Sequence, residues 1–365
     1  MAIRMDVLIT HESALEYWRV HGNTKIENEA RKRRKSVPVC LPESAETLWR
    51  IPPGLSQPVS LMTSKQNFKR RFENTRPRMY TGENPEWGFV KIEEAVFVSS
   101  PQLCFFQMAT ELPLVRLIQL GIEFCGTYSL PANNEHEKAL HDAQAEDLRN
   151  EHLRELNRFF DQETIRERKQ ELLSGYDKEA ETTPQGFYDR SALTSVKELK
   201  NFAERMEGVK GRKKAFRALR YIAGGSASPR ETILFMLLTL PYKLGGYGLP
   251  APEFNKQIKL GKAAKQRAGK AFFKCDLFWP KEGIAVEYDS NKHHTGAERI
   301  ADDAKKRQEL DELGVYTIPV TNDQMKSEFE FEIVARHIAG KIGRRLRPKN
   351  PEFQKARSEL RGLLL

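Results

Sequence analysis

Asp276, Glu287 and Asp289 sit on two short apolar segments, 272–278 and 284–289, joined by the turn sequence Pro280-Lys281-Glu282-Gly283. Both segments read as strands, so the pair predicts a hairpin. Two-residue alternation places Phe272, Lys274, Asp276 and Phe278 on one face of the first strand. On the second, Glu287 and Asp289 share a face with Ala285. Asp is disfavoured inside strands, and three carboxylates brought together need a cation. Hard oxygen donors of this kind suit Mg²⁺ or Mn²⁺, which orient a phosphate and activate a water.

Other groups cluster around this hairpin in the sequence. Ser228-Pro229-Arg230-Glu231 starts a helix, with Ser as N-cap, Pro at the first position and Glu at the third. Glu231 is therefore either a capping-box carboxylate or a third acid of the site. His293 and His294 follow the second strand and are candidates for general base or leaving-group acid. The next helix, 297–313, carries an apolar stripe through Ile300, Leu310 and Leu313. Asp303, Lys306 and Arg307 fall on the same stripe, where charge is uncommon without partners.

A basic helix precedes the acidic region. Lys210, Arg212, Lys213, Lys214, Arg217 and Arg220 come without any acidic residue between them, and Phe216, Leu219 and Ile222 give an apolar side. Such a helix is either a solvated face or a ridge that contacts phosphates. Its position just before the acids favours the ridge. The chain as a whole carries a net charge of +10, which favours a polyanionic partner through counterion release.

Taken in order, Asp276, Glu287, Asp289, His293, Asp303, Lys306, Leu310 and Gly314 resemble a very-short-patch-repair-like endonuclease domain of the PD-(D/E)XK superfamily. The resemblance implies a mixed sheet flanked by helices that cuts phosphodiester bonds with bound Mg²⁺ or Mn²⁺. Asp276 and Glu287 would be metal ligands, and Glu231 the helix carboxylate completing the site. It also implies DNA rather than RNA as the substrate; Arg307 and, by its charge, the basic helix are read as nucleic-acid contacts. Three positions depart from the pattern. Ser290 replaces a glycine, Lys306 stands at an arginine position with Arg307 beside it, and Asp289 stands where the superfamily has lysine. Lys292 and Lys306 are the candidates to replace that lysine.

Length and composition fit an α/β protein of several parts. Residues 1–130 read as an N-terminal α/β domain, with strands at 6–10, 58–62 and 95–99 and an apolar helix entered through Ser100-Pro101. Cys104, Phe105 and Met108 fall at helical spacing there, as core residues do. Ile9-Thr10-His11-Glu12-Ser13-Ala14-Leu15 together with Ser100-Pro101-Gln102-Leu103 resembles abortive-infection antitoxin-type proteins, which implies a link to phage defence or DNA regulation. Residues 131–225 form a charged helical connector ending in the basic helix, 226–345 the restriction-endonuclease-like domain, and 346–365 a basic tail.

Cys40, Cys104, Cys125 and Cys275 are scattered without zinc-ligand spacing. No apolar run approaches the roughly 20 residues of a membrane helix, and no signal peptide is evident. A cytoplasmic protein without a membrane partner is expected. Two functions fit: a metal-dependent endodeoxyribonuclease in phage defence or DNA repair, and a nuclease-fold DNA-binding regulator or antitoxin-like protein without hydrolysis. The acids favour the first and the missing lysine the second.

Overall fold

The computed structural model describes residues 7–21, 52, 55–63, 74–79, 88–93, 96–131, 188, 190–289, 297–346 and 351–365, with the side chains of 297–303 left out. His293, His294, Lys292, Ser290 and Cys40 lie outside the described residues, as do most of the charged connector and the Asp303 side chain. The chain divides into two compact units, each of mixed α/β structure: Met1–Met108 with Ser129–Ser191, and Ala109–Tyr128 with Ala192–Leu365.

Unit one is built on five strands: β1 (Val7–Ile9), β2 (Val59–Thr63), β3 (Thr75–Met79), β4 (Phe89–Glu93) and β5 (Val96–Ser99). Their order is β3-β2-β1-β5-β4, with parallel and antiparallel pairs mixed. Helix α1 (His11–His21) buries Ala14 and Trp18, and the Trp18 indole donates to the Ser99 carbonyl at 2.7 Å. Cys104, Phe105 and Met108 on α2 (Pro101–Glu111) are core residues, as their spacing predicts.

Unit two opens with α3 (Leu114–Phe124), followed by α4 (Val196–Arg205), α5 (Arg212–Leu219) and α6 (Pro229–Thr239). Helix α3 packs against α5 and α6. Strand β6 (Glu253–Lys259), helix α7 (Lys262–Ala268), and strands β7 (Phe272–Trp279) and β8 (Ile284–Asp289) come next. Helix α8 (Ala297–Glu312) then crosses over to β9 (Tyr316–Thr321). The sheet order is β6-β7-β8-β9, antiparallel except for the parallel β8–β9 pair. A hairpin needs only a tight turn and a parallel pair needs a crossover, so α8 is placed by topology beside the strand that carries Glu287. Gly283 closes the β7–β8 turn at φ 64, where a Cβ would come within 2.7 Å of the Gly314 carbonyl.

Helices α9 (Asn322–Lys326), α10 (Glu328–Lys341) and α11 (Pro351–Leu364) complete the unit. The span expected as a basic tail is thus largely the helix α11, which buries Phe353, Leu360 and Leu364. Its two buried cations are also partnered: Arg357 pairs with Glu328 and Glu332, and Arg361 donates to the Met325 and Lys326 carbonyls. Among the described residues no helix is long and apolar enough to cross a membrane.

Candidate functional site

The β7–β8 ladder runs from Trp279↔Ile284 to Leu277↔Val286, the last paired residues. Beyond that point the Asp276 carboxylate takes over: its Oδ2 accepts the Tyr288 N–H at 2.8 Å. A side chain replaces a backbone acceptor, and the two strands part where the acids stand. The irregularity extends to β6. Asn255, which falls opposite Asp276 between the paired residues Phe254↔Leu277 and Lys256↔Cys275, has φ 50. A left-handed residue inside a strand is uncommon, and Asn tolerates it better than most.

Strict alternation fails at this place. Phe278, expected beside Lys274 and Asp276, joins Phe273 and Cys275 in one buried cluster with Leu260, Ala264, Ala285 and Leu310. On β6, Phe254 stacks on Phe235 of α6 while Ile258 packs on that same cluster. Both strands therefore change the side they present at Asn255 and Asp276. A two-residue period counted from the sequence cannot register such a shift.

Glu231 stands at the start of α6. The Ser228 hydroxyl accepts the Glu231 N–H at 3.1 Å, which is the expected N-cap. The Glu231 carboxylate, which would accept the Ser228 N–H in a capping box, reaches past the N-cap to other donors. Its Oε2 accepts from the Ala227 N–H at 3.0 Å and from the Asn255 amide at 2.6 Å, and the same amide donates to the Gly225 carbonyl. Burial pushes the Glu231 carboxyl above its ordinary range and the Asp276 charge adds to the rise, opposed by these donors.

Glu287 meets Lys306. The ammonium donates to Glu287 Oε2 at 2.8 Å and to the Lys274 carbonyl at 2.9 Å. Lys306 is one turn from Leu310, whose complete burial fixes that face of α8 against the sheet. Burial raises the carboxyls of both Asp276 and Glu287. The Asp276 charge raises Glu287 further, and Lys306 opposes the rise in both. Glu287 Oε1 is buried, and among the described residues only the weak donor of the Cys275 thiol lies beside this carboxylate. That thiol is pushed up to about 12, first by burial and then by Glu287.

The structure joins Glu231, Asp276, Glu287 and Lys306 electrostatically. Asp289 lies at the end of β8 opposite Thr321, two residues past Glu287. Among the described residues no group of three or more His, Cys, Asp or Glu side chains is found that could hold a metal ion. On α8 the expected stripe is also redrawn. Arg307 and Leu313 are exposed, whereas Glu309 is buried. The Arg267 guanidinium from α7 holds the Glu309 carboxyl below its usual range, with bonds of 2.6 and 2.7 Å. That partner is distant in sequence and invisible to a helical count. Asn255 was missed altogether; its signal is a polar side chain between Phe254 and Ile258.

The basic helix α5 divides by function. The Lys214 ammonium donates to the Leu112 carbonyl just past α2, and Arg212 donates to the Ala203 carbonyl in the last turn of α4 while lying over the Phe216 ring. Both act as cations at helix C-termini. Lys210, Lys213, Arg217 and Arg220 are exposed.

No protein-family model matches the chain. Two proteins of Mycobacterium tuberculosis, from strains CDC 1551 / Oshkosh and ATCC 25618 / H37Rv and both described as uncharacterized, are 25% identical to it over 139 residues. The match takes in 38% of this chain and 46% of each relative, so the chain spans less than half the length of the curated relatives it matches. No solved structure matches.

Proposed function

We propose that unit two is a metal-dependent endonuclease acting on DNA, with a restriction-endonuclease-like core formed by the β6-β7-β8-β9 sheet and helices α6 and α8. The observation that carries this reading is the placement of Lys306 on Glu287, next to Asp276, where the β7–β8 ladder parts. A strand pair gains nothing in stability from two half-buried acids set side by side, and their use lies in what they can bind.

The donors fit a hard divalent cation. Asp276 and Glu287 are carboxylates, Glu287 Oε1 is buried with no donor stronger than the Cys275 thiol among the described residues, and Mg²⁺ keeps several waters beside one or two carboxylates. Asp276 and Glu287 would hold the ion, with Glu231 as the third acid. When bound, Mg²⁺ or Mn²⁺ supplies charge to the phosphate and an activated water.

The chain's own residues do the rest. Lys306 takes the part of the superfamily lysine: its ammonium orients Glu287 and sets a positive charge where a phosphate gains negative charge in the transition state. Asn255 holds the Glu231 carboxylate toward the site. Partial burial weakens the screening of these charges by bulk water.

A second reading rests on the same ion pair. Lys306 can serve as a built-in cation that replaces the metal, leaving a nuclease fold that binds DNA without cutting it. Cleavage assays on single- and double-stranded DNA and RNA, with Mg²⁺, Mn²⁺ or EDTA and with Asp276→Ala beside the wild type, separate the two. Metal-dependent cutting lost in the variant supports the enzyme. A wild type that cuts nothing while binding DNA supports the regulator.

A further inference from the structure

The segment from Phe254 to Cys275, which makes β6, α7 and the start of β7, holds seven basic residues and no acidic one: Lys256, Lys259, Lys262, Lys265, Arg267, Lys270 and Lys274. Two of the seven are spoken for, Lys256 by Glu253 and Arg267 by Glu309 and Glu312. Lys259, Lys262, Lys265 and Lys270 are exposed and make no ion pair among the described residues. Amid them Phe272 is 41% exposed, although it belongs to a strand whose next residue is core. Phe272 is the cross-strand partner of Lys259, and Lys274 of Gln257. These four side chains thus share one face of the sheet at the edge strand β6, and Asp276 stands further along β7, where the strand changes the side it presents.

We infer that this β6–α7–β7 segment is a binding track for a single nucleic-acid strand, with Lys259, Lys262, Lys265 and Lys270 on the phosphates and Phe272 as a stacking platform for a base. The choice of nucleic acid rests on the nuclease reading of the same unit. Like charges crowded on a short segment repel one another, and a polyanion relieves that by releasing its counterions. An anionic membrane or an acidic protein would satisfy the lysines alone. The aromatic ring set among them favours bases, because every base offers a face to stack on. The distance also suits a strand. Four residues of β-structure separate Phe272 from Asp276, about 13 Å, roughly the length of four base steps. A base on Phe272 would thus leave the backbone a few nucleotides further on at the carboxylates. The single-stranded form is favoured, since a base inside a duplex presents no free face to an edge-strand aromatic.

The test is fluorescence anisotropy of a labelled single-stranded oligonucleotide and its duplex, titrated with full-length protein in EDTA over a range of salt. The variant Lys259→Gln/Lys262→Gln/Lys265→Gln/Lys270→Gln is expected to melt like wild type and bind the single strand at least tenfold more weakly. Its slope of log affinity against log salt should fall by up to about three. Phe272→Ala is expected to cost at least fivefold on the single strand, with Phe272→Tyr restoring it. An unchanged slope in the quadruple variant overturns the track, as does wild-type binding to phosphatidylserine vesicles but to neither oligonucleotide. Equal affinity of Phe272→Ala and wild type overturns the stacking. Cleavage with Mg²⁺, measured separately, judges the nuclease reading. A chain that cuts yet keeps its slope in the variant loses only the track, and one that cuts nothing yet loses its slope keeps it.

Discussion

Asp276 and Tyr288 are held together by a side-chain bond where a backbone bond would normally stand, the Asp276 carboxylate accepting the Tyr288 N–H at 2.8 Å. One carboxylate both ends the ladder and faces the site. Removing its charge while keeping its acceptor therefore separates stability from chemistry. Asp276→Asn is expected to raise the metal-free melting temperature, by roughly 0.5–2 kcal/mol of stability. The same change should abolish Mg²⁺ or Mn²⁺ binding in calorimetry. A variant that melts lower, or binds metal as tightly as wild type, contradicts this assignment.

Glu231 answers to a similar logic. Glu231→Gln keeps an oxygen for the Ala227 N–H and the Asn255 amide but loses the negative charge beside Asp276. Melting is expected to stay near wild type or rise, and cleavage to fall at least tenfold, which is about 1.4 kcal/mol in barrier height. Undiminished cutting would make Glu231 only part of the helix start.

For Lys306, charge and shape can be told apart. Lys306→Met leaves Glu287 without its cation and is expected to lower cleavage by on the order of a hundredfold or more. The stability loss should be smaller than the roughly 3–5 kcal/mol of a fully buried broken pair, because both side chains retain some exposure. Lys306→Arg should fall between, since a planar guanidinium cannot reproduce the two bonds of the ammonium. Equal rates for wild type and Lys306→Met would place the working lysine elsewhere.

On α5 the structural and surface cations should part in a melting experiment. Lys214→Ala is expected to lower stability by about 1 kcal/mol through the lost bond to the Leu112 carbonyl. Replacing Lys213, Arg217 and Arg220 together should leave melting unchanged and weaken nucleic-acid binding. The opposite pattern would show that α5 has been divided wrongly.

In unit one, Glu12 gives a pH dependence. Burial raises its carboxyl, but bonds from its own backbone N–H and from Arg78 outweigh that, and the net shift is downward. Arg78 and Arg76 donate to it at 2.8 and 2.6 Å. A carboxyl lowered in the folded state stabilises it above the unfolded value near 4.3, and that contribution is lost as pH falls through the folded value. Acid titration of unit-one stability should therefore steepen below about pH 4, and Glu12→Gln should flatten it. Identical acid curves would remove Glu12 from the account.

The sequence displayed Asp276 and Lys306 because each broke a local rule. Asp276 stood in an apolar strand, and Lys306 on the stripe of Leu310. The turn at Pro280 to Gly283 and the cap at Ser228 were legible from local backbone chemistry. The edge strands β3 and β6 were not. β3 reads Thr-Arg-Pro-Arg-Met and β6 holds only Phe254 and Ile258 as apolar residues. Edges tolerate Pro and charge because one side of the backbone makes no ladder. Helix α11 was hidden by its basic composition, since Arg357 and Arg361 are buried only by virtue of partners from α10 and its approach. The shift of sides at Asn255 lay beyond any periodic count.

Asn255 also bears on which sequences can carry this site at all. Its backbone at φ 50 suits Gly, Asn and Asp, while its amide must donate to both the Gly225 carbonyl and the Glu231 carboxylate. Glycine would keep the backbone and lose both bonds; aspartate would keep the shape and set a further anion against Glu231. One amino acid out of twenty meets both demands, so in a mutational scan this amide on an edge strand should tolerate as little change as the acids it serves.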